Sequence, residues 1–260
     1  MKHPALWFCD YDKEYEGKEP SFYSVQEINV AMALEASYPV LREELKILWE
    51  KGEKESTFQG FGDYDSFDNK QFPPRSWQKM VFKVWGLRNN RICSKFPVTA
   101  SLLEKHPNIT SCFVTKTSPR SIIKPHCGET NAHIRIHLGL HVPEADATIC
   151  GMEVLSKRIG WQNGKTFAFL DAHHHHVWNN SDSDRYVLIV DVIRPEFAHR
   201  KHFVFARVIV SQLFFYFVHR FKMKFLYNIS TAVLDVATWL VYAPIRIAMA
   251  FNNKFNIVKL

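Results

Sequence analysis

The sequence lacks the cysteine patterns that build disulfide frameworks or zinc sites. Its cysteines are odd in number, and no two of them form a Cys-x-x-Cys pair. The five are Cys9, Cys93, Cys112, Cys127 and Cys150. The first residues also lack the apolar segment of a secretory signal. We therefore expect a protein of the reducing cytosol. The Ser and Cys residues also show no triad arrangement with His and Asp, so nucleophilic catalysis has no support.

Acidic residues are almost absent from the end of the chain. Residues 200–260 contain nine Lys or Arg and a single acid, Asp235, which gives them a net charge of +8. Because the whole chain carries +7, residues 1–199 sum to −1. The basic character therefore belongs to the tail. The body shows no charge excess of the kind that binds nucleic acid, so we expect no nucleic-acid partner.

The tail also lacks a clean transmembrane segment. Its first apolar run, 203–218, contains Arg207, and its second, 226–251, contains Asp235 and Arg246. A spanning helix needs about 20 apolar residues with few charges. Basic residues beside aromatic, apolar helices suit an anionic cytoplasmic leaflet, so we expect a peripheral contact with the cytoplasmic face of a membrane. The alternatives are packing on the body of the protein and a homodimer interface.

What the sequence does contain is a polar stripe on an apolar strand. His133, Arg135 and His137 alternate with apolar residues over 133–140. Successive side chains of a strand point to opposite faces, so the two imidazoles and the guanidinium share one face. Histidines stand before and after this strand in the sequence. The pattern indicates a metal and an anionic cosubstrate inside a β-barrel-like shell.

Candidate metal ligands flank the stripe. His126 precedes it, and the run 173–176 follows His126 by about fifty residues. The common iron pattern is His-x-Asp/Glu with a distant His, but Gly128 stands where the carboxylate belongs. The gap is either an open coordination position or evidence against iron. Within the run, at most two of four histidines face inward in a strand, and a solvated His-rich loop is the alternative for the others.

A further candidate is Arg185, at the start of a nearly continuous apolar strand. An unpaired buried guanidinium is costly, so a carboxylate must meet it. That carboxylate is either a structural partner such as Asp191 or Glu196, or a dicarboxylate cosubstrate bound by two parallel hydrogen bonds. The residues alone leave both alternatives open.

Short apolar segments between turn signals predict a mainly β protein of the jelly-roll type. The predicted strands include 80–85, 112–117, 133–140 and 166–170. A helical stripe between Ser24 and Gly52 predicts one or two helices that buttress a sheet, opened by a capping box of Ser24 and Glu27. Residues 97–105 are predicted to form a short helix, and the Gly-, Asp-, Ser- and Pro-rich residues 56–75 a loop.

Four sequence blocks follow one another in a specific order and spacing. They are Pro125-His126-x-Gly128-x-Thr130-Asn131, Ile134-Arg135-x-His137-Leu138-Gly139-Leu140, His175-x-Val177-Trp178-Asn179-Asn180, and Arg185 with Asp191-Val192-x-Arg194-Pro195-Glu196. Together they resemble the aspartyl/asparaginyl β-hydroxylases over residues 85–197. The resemblance implies a double-stranded β-helix fold and the use of iron(II), 2-oxoglutarate and O₂. The family also has glycine at the position of Gly128, so the missing carboxylate is implied to be a family trait.

The resemblance also implies roles for individual residues. His126 and His175 match the iron ligands, and His175 is selected because x-Val-Trp-Asn-Asn follows it. The positions that match 2-oxoglutarate contacts are Arg135 and His137 at its C1 end, and Arg185, assisted by the hydroxyl of Thr115, at its C5 carboxylate. No catalytic residue beyond the metal site is implied.

One departure from the family bears on the substrate. The animal secretory-pathway enzymes carry a second cysteine seven residues after the counterpart of Cys93, where this chain has Ala100. The missing disulfide agrees with a cytosolic protein and argues against an EGF-domain substrate. The implied activity is hydroxylation of an unactivated C–H bond, first of all the β-carbon of a peptidyl Asp or Asn. The alternatives are hydroxylation of a membrane-lipid acyl chain and an inactive binding module.

The predicted organisation has three parts. Residues 1–78 form an N-terminal helical and loop support, and 79–198 form the double-stranded β-helix dioxygenase core. Residues 199–260 form a basic, hydrophobic helical tail, which docks on a membrane or forms an interface.

Overall fold

The computed structural model describes residues 4–10, 14–50, 59–60, 77–223, 226 and 231–255. The strands are β1 Gln59–Gly60, β2 Trp77–Val84, β3 Leu87–Arg88, β4 Ile109–Thr117, β5 Ser121–His126, β6 His133–His141, β7 Cys150–Val154, β8 Lys157–Gly160, β9 Thr166–Phe169, β10 His175–Asn179 and β11 Arg185–Ile193. The helices are α1 Asn29–Ala36, α2 Tyr38–Leu45, α3 Ile47–Glu50, α4 Asn90–Lys95, α5 Pro97–Lys105, α6 Lys201–Arg220 and α7 Thr231–Phe255, with 3-10 turns at Val25–Glu27 and Pro195–Arg200.

The described strands form two antiparallel sheets. The larger has the order β1-β2-β4-β11-β6-β9, with β3 paired to β2, and the smaller has the order β5-β10-β7-β8. One apolar core takes Phe113, Phe169 and Val187 from the larger sheet and Met152 and Val177 from the smaller. The sheets therefore pack face to face, and the predicted double-stranded β-helix (jelly roll) is confirmed.

Helices cover the outer face of the larger sheet. Leu34 of α1 and Leu41 and Leu45 of α2 share a second buried core with Ile136 of β6 and Leu188 of β11. Alternation along β6 sends its apolar residues to this outer core and places Arg135 and His137 between the sheets. The prediction that N-terminal helices buttress the sheet is confirmed.

Local predictions had mixed outcomes. The helix predicted at 97–105 matches α5. The capping box was wrong, because the Ser24 hydroxyl donates to the Gln26 side chain and makes no cap bond to a helix. Of the loop predicted at 56–75, Gln59–Gly60 pairs instead with β2, and the other residues lie outside the described ones.

The tail is helical, as predicted, and both of its helices pack on the barrel. Phe205 of α6 and Met249 of α7 form a third apolar core with Trp85 and Ile193, to which Phe8 of the N-terminal segment also belongs. By length and composition, 195–220 and 231–254 are both apolar enough to cross a membrane. The third core joins all three predicted parts of the chain, whose boundaries stay a prediction.

Candidate active site

Two histidine rings meet where β5 ends and β10 begins. His126 and His175 are direct partners in the pairing of these strands. Their ring centroids lie 4.2 Å apart with the planes inclined by 56°. Residues about fifty positions apart in sequence are therefore held side by side by a strand register, which sequence spacing alone does not reveal.

Backbone carbonyls fix the tautomer of each ring. The Nδ1 atom of His126 lies 2.8 Å from the carbonyl oxygen of Lys124, and Nδ1 of His175 lies 2.8 Å from that of His173. A carbonyl oxygen only accepts, so both Nδ1 atoms carry and donate the proton. Each Nε2 atom therefore presents a lone pair, which is the form in which imidazole binds a metal.

Burial keeps both rings neutral. It lowers the pKa of His126 to about 4, and it holds the pKa of His175 well below the usual range, with Arg135 adding to both effects. A neutral ring has no proton to release before it binds a cation. The pair is therefore prepared as ligands.

A carboxylate occupies the space beside Gly128. Asp171 lies four residues before His175, and its Oδ1 atom is 3.5 Å from Nε2 of that ring. A Cβ atom at position 128 would lie 1.8 Å from Oδ2 of Asp171, and the Gly128 N–H donates to the Asp171 carbonyl at 2.7 Å. The glycine is thus required by close approach, because a carboxylate from another part of the chain takes the space that a side chain at position 128 would fill.

Asp171 shares a guanidinium with a second buried carboxylate. Arg135 donates from Nη1 to Asp171 at 2.6 Å, and from Nε and Nη2 to Asp191 at 2.7 and 2.9 Å. One cation therefore serves two anions. Burial, together with Asp191, raises the pKa of the Asp171 carboxyl to about 7 against the opposing effect of Arg135. A bound cation beside Asp171 would balance the charge of this cluster.

Arg185 has no such partner. It is 2% exposed, and it donates to the Trp178 carbonyl at 3.1 Å and to the Thr117 hydroxyl at 3.0 Å. Its guanidinium carbon lies 3.8 Å from the centroid of the Trp161 ring, and its Nε atom is buried without a hydrogen-bond partner. Burial lowers the pKa of Arg185 to about 10. Within the described part of the chain, no carboxylate forms an ion pair with this side chain.

The structural salt bridges considered for Arg185 are not formed. Asp191 pairs with Arg135, and Glu196 pairs with Arg194 at 2.6 Å. An unpaired guanidinium in a buried cavity is expensive unless an anion from outside completes it. The structure therefore favours the second alternative, an anionic ligand.

His137 offers a second unused donor. Its Nδ1 atom accepts from the indole N–H of Trp161 at 3.3 Å. Since an indole nitrogen only donates, the proton of His137 is on Nε2, which is buried without a partner. Burial holds the pKa of His137 well below its usual range, so the ring is neutral. The cavity thus contains one N–H and one guanidinium suited to oxygen acceptors.

The six predicted site residues are brought together around one cavity. They are Thr115, His126, Arg135, His137, His175 and Arg185. Two of them differ in detail from the implied roles. The Thr115 hydroxyl donates to the Val187 carbonyl at 3.4 Å, and the hydroxyl that contacts Arg185 is that of Thr117. Arg135 lines the cavity while its guanidinium holds two carboxylates.

The histidine run divides into buried and exposed side chains, and only its last two residues lie in β10. His173 and His175 are buried, whereas the His174 side chain is 44% exposed. Nε2 of His173 lies 3.0 Å from the carbonyl of Glu19, outside the cavity lining. One histidine of the run therefore belongs to the site, and His173 anchors the N-terminal segment.

That segment also holds the loop after His126. The Thr130 hydroxyl donates to the Trp7 carbonyl at 2.7 Å, and the Asn131 side chain accepts from the Trp7 N–H at 2.9 Å. The sulfur atoms of Cys9 and Cys127 lie 3.4 Å apart. The Thr-Asn pair of the first sequence block therefore has a structural role in fixing the ligand loop.

Three residues of the site were missed by sequence reasoning. Asp171, Thr117 and Trp161 all line or support the cavity, yet none stands in a quoted block. Their contacts depend on strand pairing and loop packing. The only local signal for Asp171 is an acid within an apolar run, four residues before His175.

The donor set fits a metal with open positions. Among the described residues, no three His, Cys, Asp or Glu side chains form a set able to hold a metal ion by themselves. Two imidazole lone pairs, an excess buried anion and two unused N–H donors suit a cation that takes further ligands from small molecules. Imidazole suits iron, and the donors suit a dicarboxylate.

The chain is similar to several known proteins. The family model "Aspartyl/Asparaginyl beta-hydroxylase" matches residues 35–195. The chain is 29% identical over 177 residues to an ornithine lipid ester-linked acyl 2-hydroxylase of Rhizobium tropici, covering 68% of this chain and 61% of the relative. It is 34% identical over 125 residues to an aspartyl/asparaginyl beta-hydroxylase of Homo sapiens, covering 46% of this chain and 16% of the relative. The match thus leaves more than a third of the first relative and most of the second unaligned.

Proposed function

We propose that this chain, which belongs to the aspartyl/asparaginyl beta-hydroxylase family, is a hydroxylase that depends on iron(II) and 2-oxoglutarate. Membership of the family and two relatives named as hydroxylases support hydroxylation as the activity. The cofactor requirement and the substrate are our proposals.

The observation that carries the cosubstrate is the unpaired Arg185. Its buried guanidinium shares a cavity with the unused Nε2–H of His137 and with the His126–His175 pair. 2-Oxoglutarate has a carboxylate at each end and a keto group beside one of them. Arg185 would bind the C5 carboxylate, and His137 would donate to the C1 end near the metal.

The remaining residues organise the reaction. Iron and 2-oxoglutarate, when bound, supply the activation of O₂ and the insertion of one oxygen atom into a C–H bond. His126 and His175 would hold the metal, and Asp171, fixed by Arg135, would provide a negative charge beside it. The apolar lining, including Phe169 and Ile189, excludes water and directs the reaction to the bound substrate.

The hydroxylations named for the two relatives take place at the same kind of carbon atom. The β-carbon of Asp or Asn is the methylene bonded to the side-chain carboxyl or amide carbon, and C2 of an acyl chain is the methylene bonded to the ester carbonyl carbon. We propose that this chain hydroxylates a methylene next to a carbonyl carbon. The balanced reaction converts R–CH₂–C(=O)X, 2-oxoglutarate and O₂ to R–CH(OH)–C(=O)X, succinate and CO₂.

Two substrates fit this description. A lipid acyl chain is favoured by a broad apolar surface on the tail, with Leu240 77% exposed, and by the relative that aligns with 68% of the chain. A peptidyl Asp or Asn is supported by the higher identity to the human relative, 34% over 125 residues. We propose the acyl chain as the substrate, at the cytoplasmic face of a membrane, and keep the peptide as the second candidate.

One turnover experiment separates the candidates. The full chain is supplied with iron(II), 2-oxoglutarate and O₂, and with either an Asp/Asn peptide set or lipids deuterated on both hydrogens of acyl C2. For a lipid substrate we expect succinate in equal amount to a product that has gained one oxygen and lost one deuterium. Product from peptides alone would favour the second candidate. If neither set gives product, and if His126→Ala binds iron to the same extent as the wild type, the result would favour an inactive binding module.

A further inference from the structure

We propose that the outer face of helices α6 and α7 docks the protein on an anionic lipid bilayer and lies along one leaflet without spanning it. We call this face the tail surface. It consists of the exposed apolar residues Leu213, Tyr216, Phe217 and Phe221 of α6 and its end, and Val233, Val236, Trp239, Leu240, Val241, Ile247 and Phe251 of α7. The inference deepens the proposed function, which puts the substrate at a membrane, but its test measures vesicle binding without turnover, so either proposal can fail without the other.

Helix α7 has the reverse of the usual arrangement in a soluble protein. Leu240 is 77% exposed and Trp239 61%, whereas Thr238 and Asn252 are fully buried. A helix on the surface of a water-soluble domain turns its apolar stripe inward. Here an apolar face points outward over most of the helix length, and patches of this size on soluble proteins mark interaction surfaces.

Polar side chains of the two helices form hydrogen bonds inside the protein. Arg207 of α6 is fully buried and donates to Asp10 at 2.5 and 3.3 Å and to Asp235 of α7 at 2.6 Å. The Asn252 side chain donates to the Arg88 carbonyl at 3.3 Å. Of the three charges that interrupt the apolar runs, Arg207 is buried and pairs with Asp235, and the exposed Arg246 adds to the basic charge of the tail.

The same contacts exclude a spanning helix. Phe203 to Val208, Ser211 and Val218 of α6 are buried, so the helix is held along most of its length and leaves no stretch of about 20 residues to cross a bilayer. The hydrocarbon core is about 30 Å thick. Helix α7 is held near both ends, by the buried Leu234 and Asn252. Both helices therefore lie on the protein, and their outer faces can enter one leaflet only.

The charges at the helix ends favour a bilayer over a second copy of the chain as the partner of the tail surface. Lys201 begins α6, Arg220 and Lys222 lie at its other end, and Lys254 lies near the end of α7. Residues 200–260 carry a net charge of +8, and the one acid, Asp235, pairs with Arg207. Two such surfaces in contact would bring like charges together, which disfavours a homodimer. An anionic headgroup layer complements these charges.

The tail surface adjoins the site. The Gln212 side chain of α6 donates to the Glu129 side chain at 3.3 Å, and Glu129 lies three residues after His126. Docking through α6 would therefore hold the ligand loop close to the headgroup layer.

The test is flotation of the full chain with lipid vesicles. Vesicles of phosphatidylcholine alone are compared with vesicles that also contain phosphatidylglycerol, for the wild type and for Val236→Asp/Leu240→Asp. Both substituted side chains are exposed, 60% and 77%, so neither change removes a buried contact. The matched control is Val40→Asp, which changes a 54% exposed valine of α2, away from the tail surface.

We expect the wild type and the Val40 variant to float with the anionic vesicles, and the double variant to bind at least about tenfold more weakly. Such a loss corresponds to about 1.4 kcal/mol or more. Wild-type protein that stays in solution with both kinds of vesicle would overturn the proposal. So would a double variant that binds as well as the wild type. Dimers that the double variant disperses, together with no vesicle binding, would assign the surface to a second copy instead.

Discussion

At the scale of single residues, the carboxylate of Asp171 takes the space beside Gly128. The sequence shows the missing carboxylate, and the family resemblance makes it a shared trait. The structure gives the physical reason, since Asp171 occupies the space that a side chain at Gly128 would need. No local pattern reveals this, because the two residues are 43 positions apart and meet through the approach of two loops.

Gly128→Ala should therefore impair metal binding although alanine adds no charge. Its Cβ atom would displace Asp171, which is held at 2.6 Å by Arg135 and cannot move at small cost. Gly128→Asp should be worse and should not give a better enzyme. Calorimetric titration with Mn(II) as a redox-inert substitute measures the effect. An alanine variant that binds the metal as tightly as the wild type would contradict the geometry.

The histidine run provides a matched pair of substitutions. His175→Ala should abolish metal-dependent turnover, because it removes an Nε2 lone pair beside His126. His173→Ala should keep much of the activity, because His173 bonds to Glu19 outside the cavity. Succinate formation, measured for both variants and for His126→Ala, is the readout. Full activity in His175→Ala together with loss in His173→Ala would show that the ligand has been assigned to the wrong histidine.

At the scale of the elements, strands and helices with a clear period were predictable. The alternation over 133–140 matches β6, and Pro97–Lys105 matches α5. The pairings were not predictable, because β11 lies between β4 and β6, its partners tens of residues earlier in the chain. Non-local pairing depends on the packing of whole sheets rather than on local sequence.

Helix α6 shows the same limit. Sequence reasoning treated Arg207 as a defect in an apolar run, whereas the structure pairs it with Asp10 from the opposite end of the chain. Because one member of a buried pair is left uncompensated, Arg207→Met should lower the free energy of unfolding by about 3–5 kcal/mol. Chemical denaturation measures it. The double variant with Asp10→Asn should lose less than the two single losses added together; simple additivity would show that the two side chains do not interact.

At the scale of the whole molecule, the three apolar cores explain why the tail is both structural and interactive. Phe205 and Val208 of α6 complete the third core with Trp85, so removal of the tail would expose the barrel. Substitutions on the outward face of α7 are therefore better probes of docking than truncation. The amphipathic division of these helices was not predictable, since both faces of α7 are largely apolar in sequence and only the buried contacts distinguish them.

The central claim is that the buried guanidinium of Arg185 binds a dicarboxylate beside a metal site formed by two histidines. Calorimetric titration of 2-oxoglutarate into the Mn(II)-loaded protein, for the wild type and Arg185→Gln, tests it most directly. We predict one-to-one binding that weakens about tenfold to a hundredfold in the variant, because a charge-assisted contact contributes about 1.5–3 kcal/mol. The metal-free variant should be no less stable than the wild type, since it loses an unpaired buried charge. Equal affinity of the two proteins for 2-oxoglutarate would contradict the account.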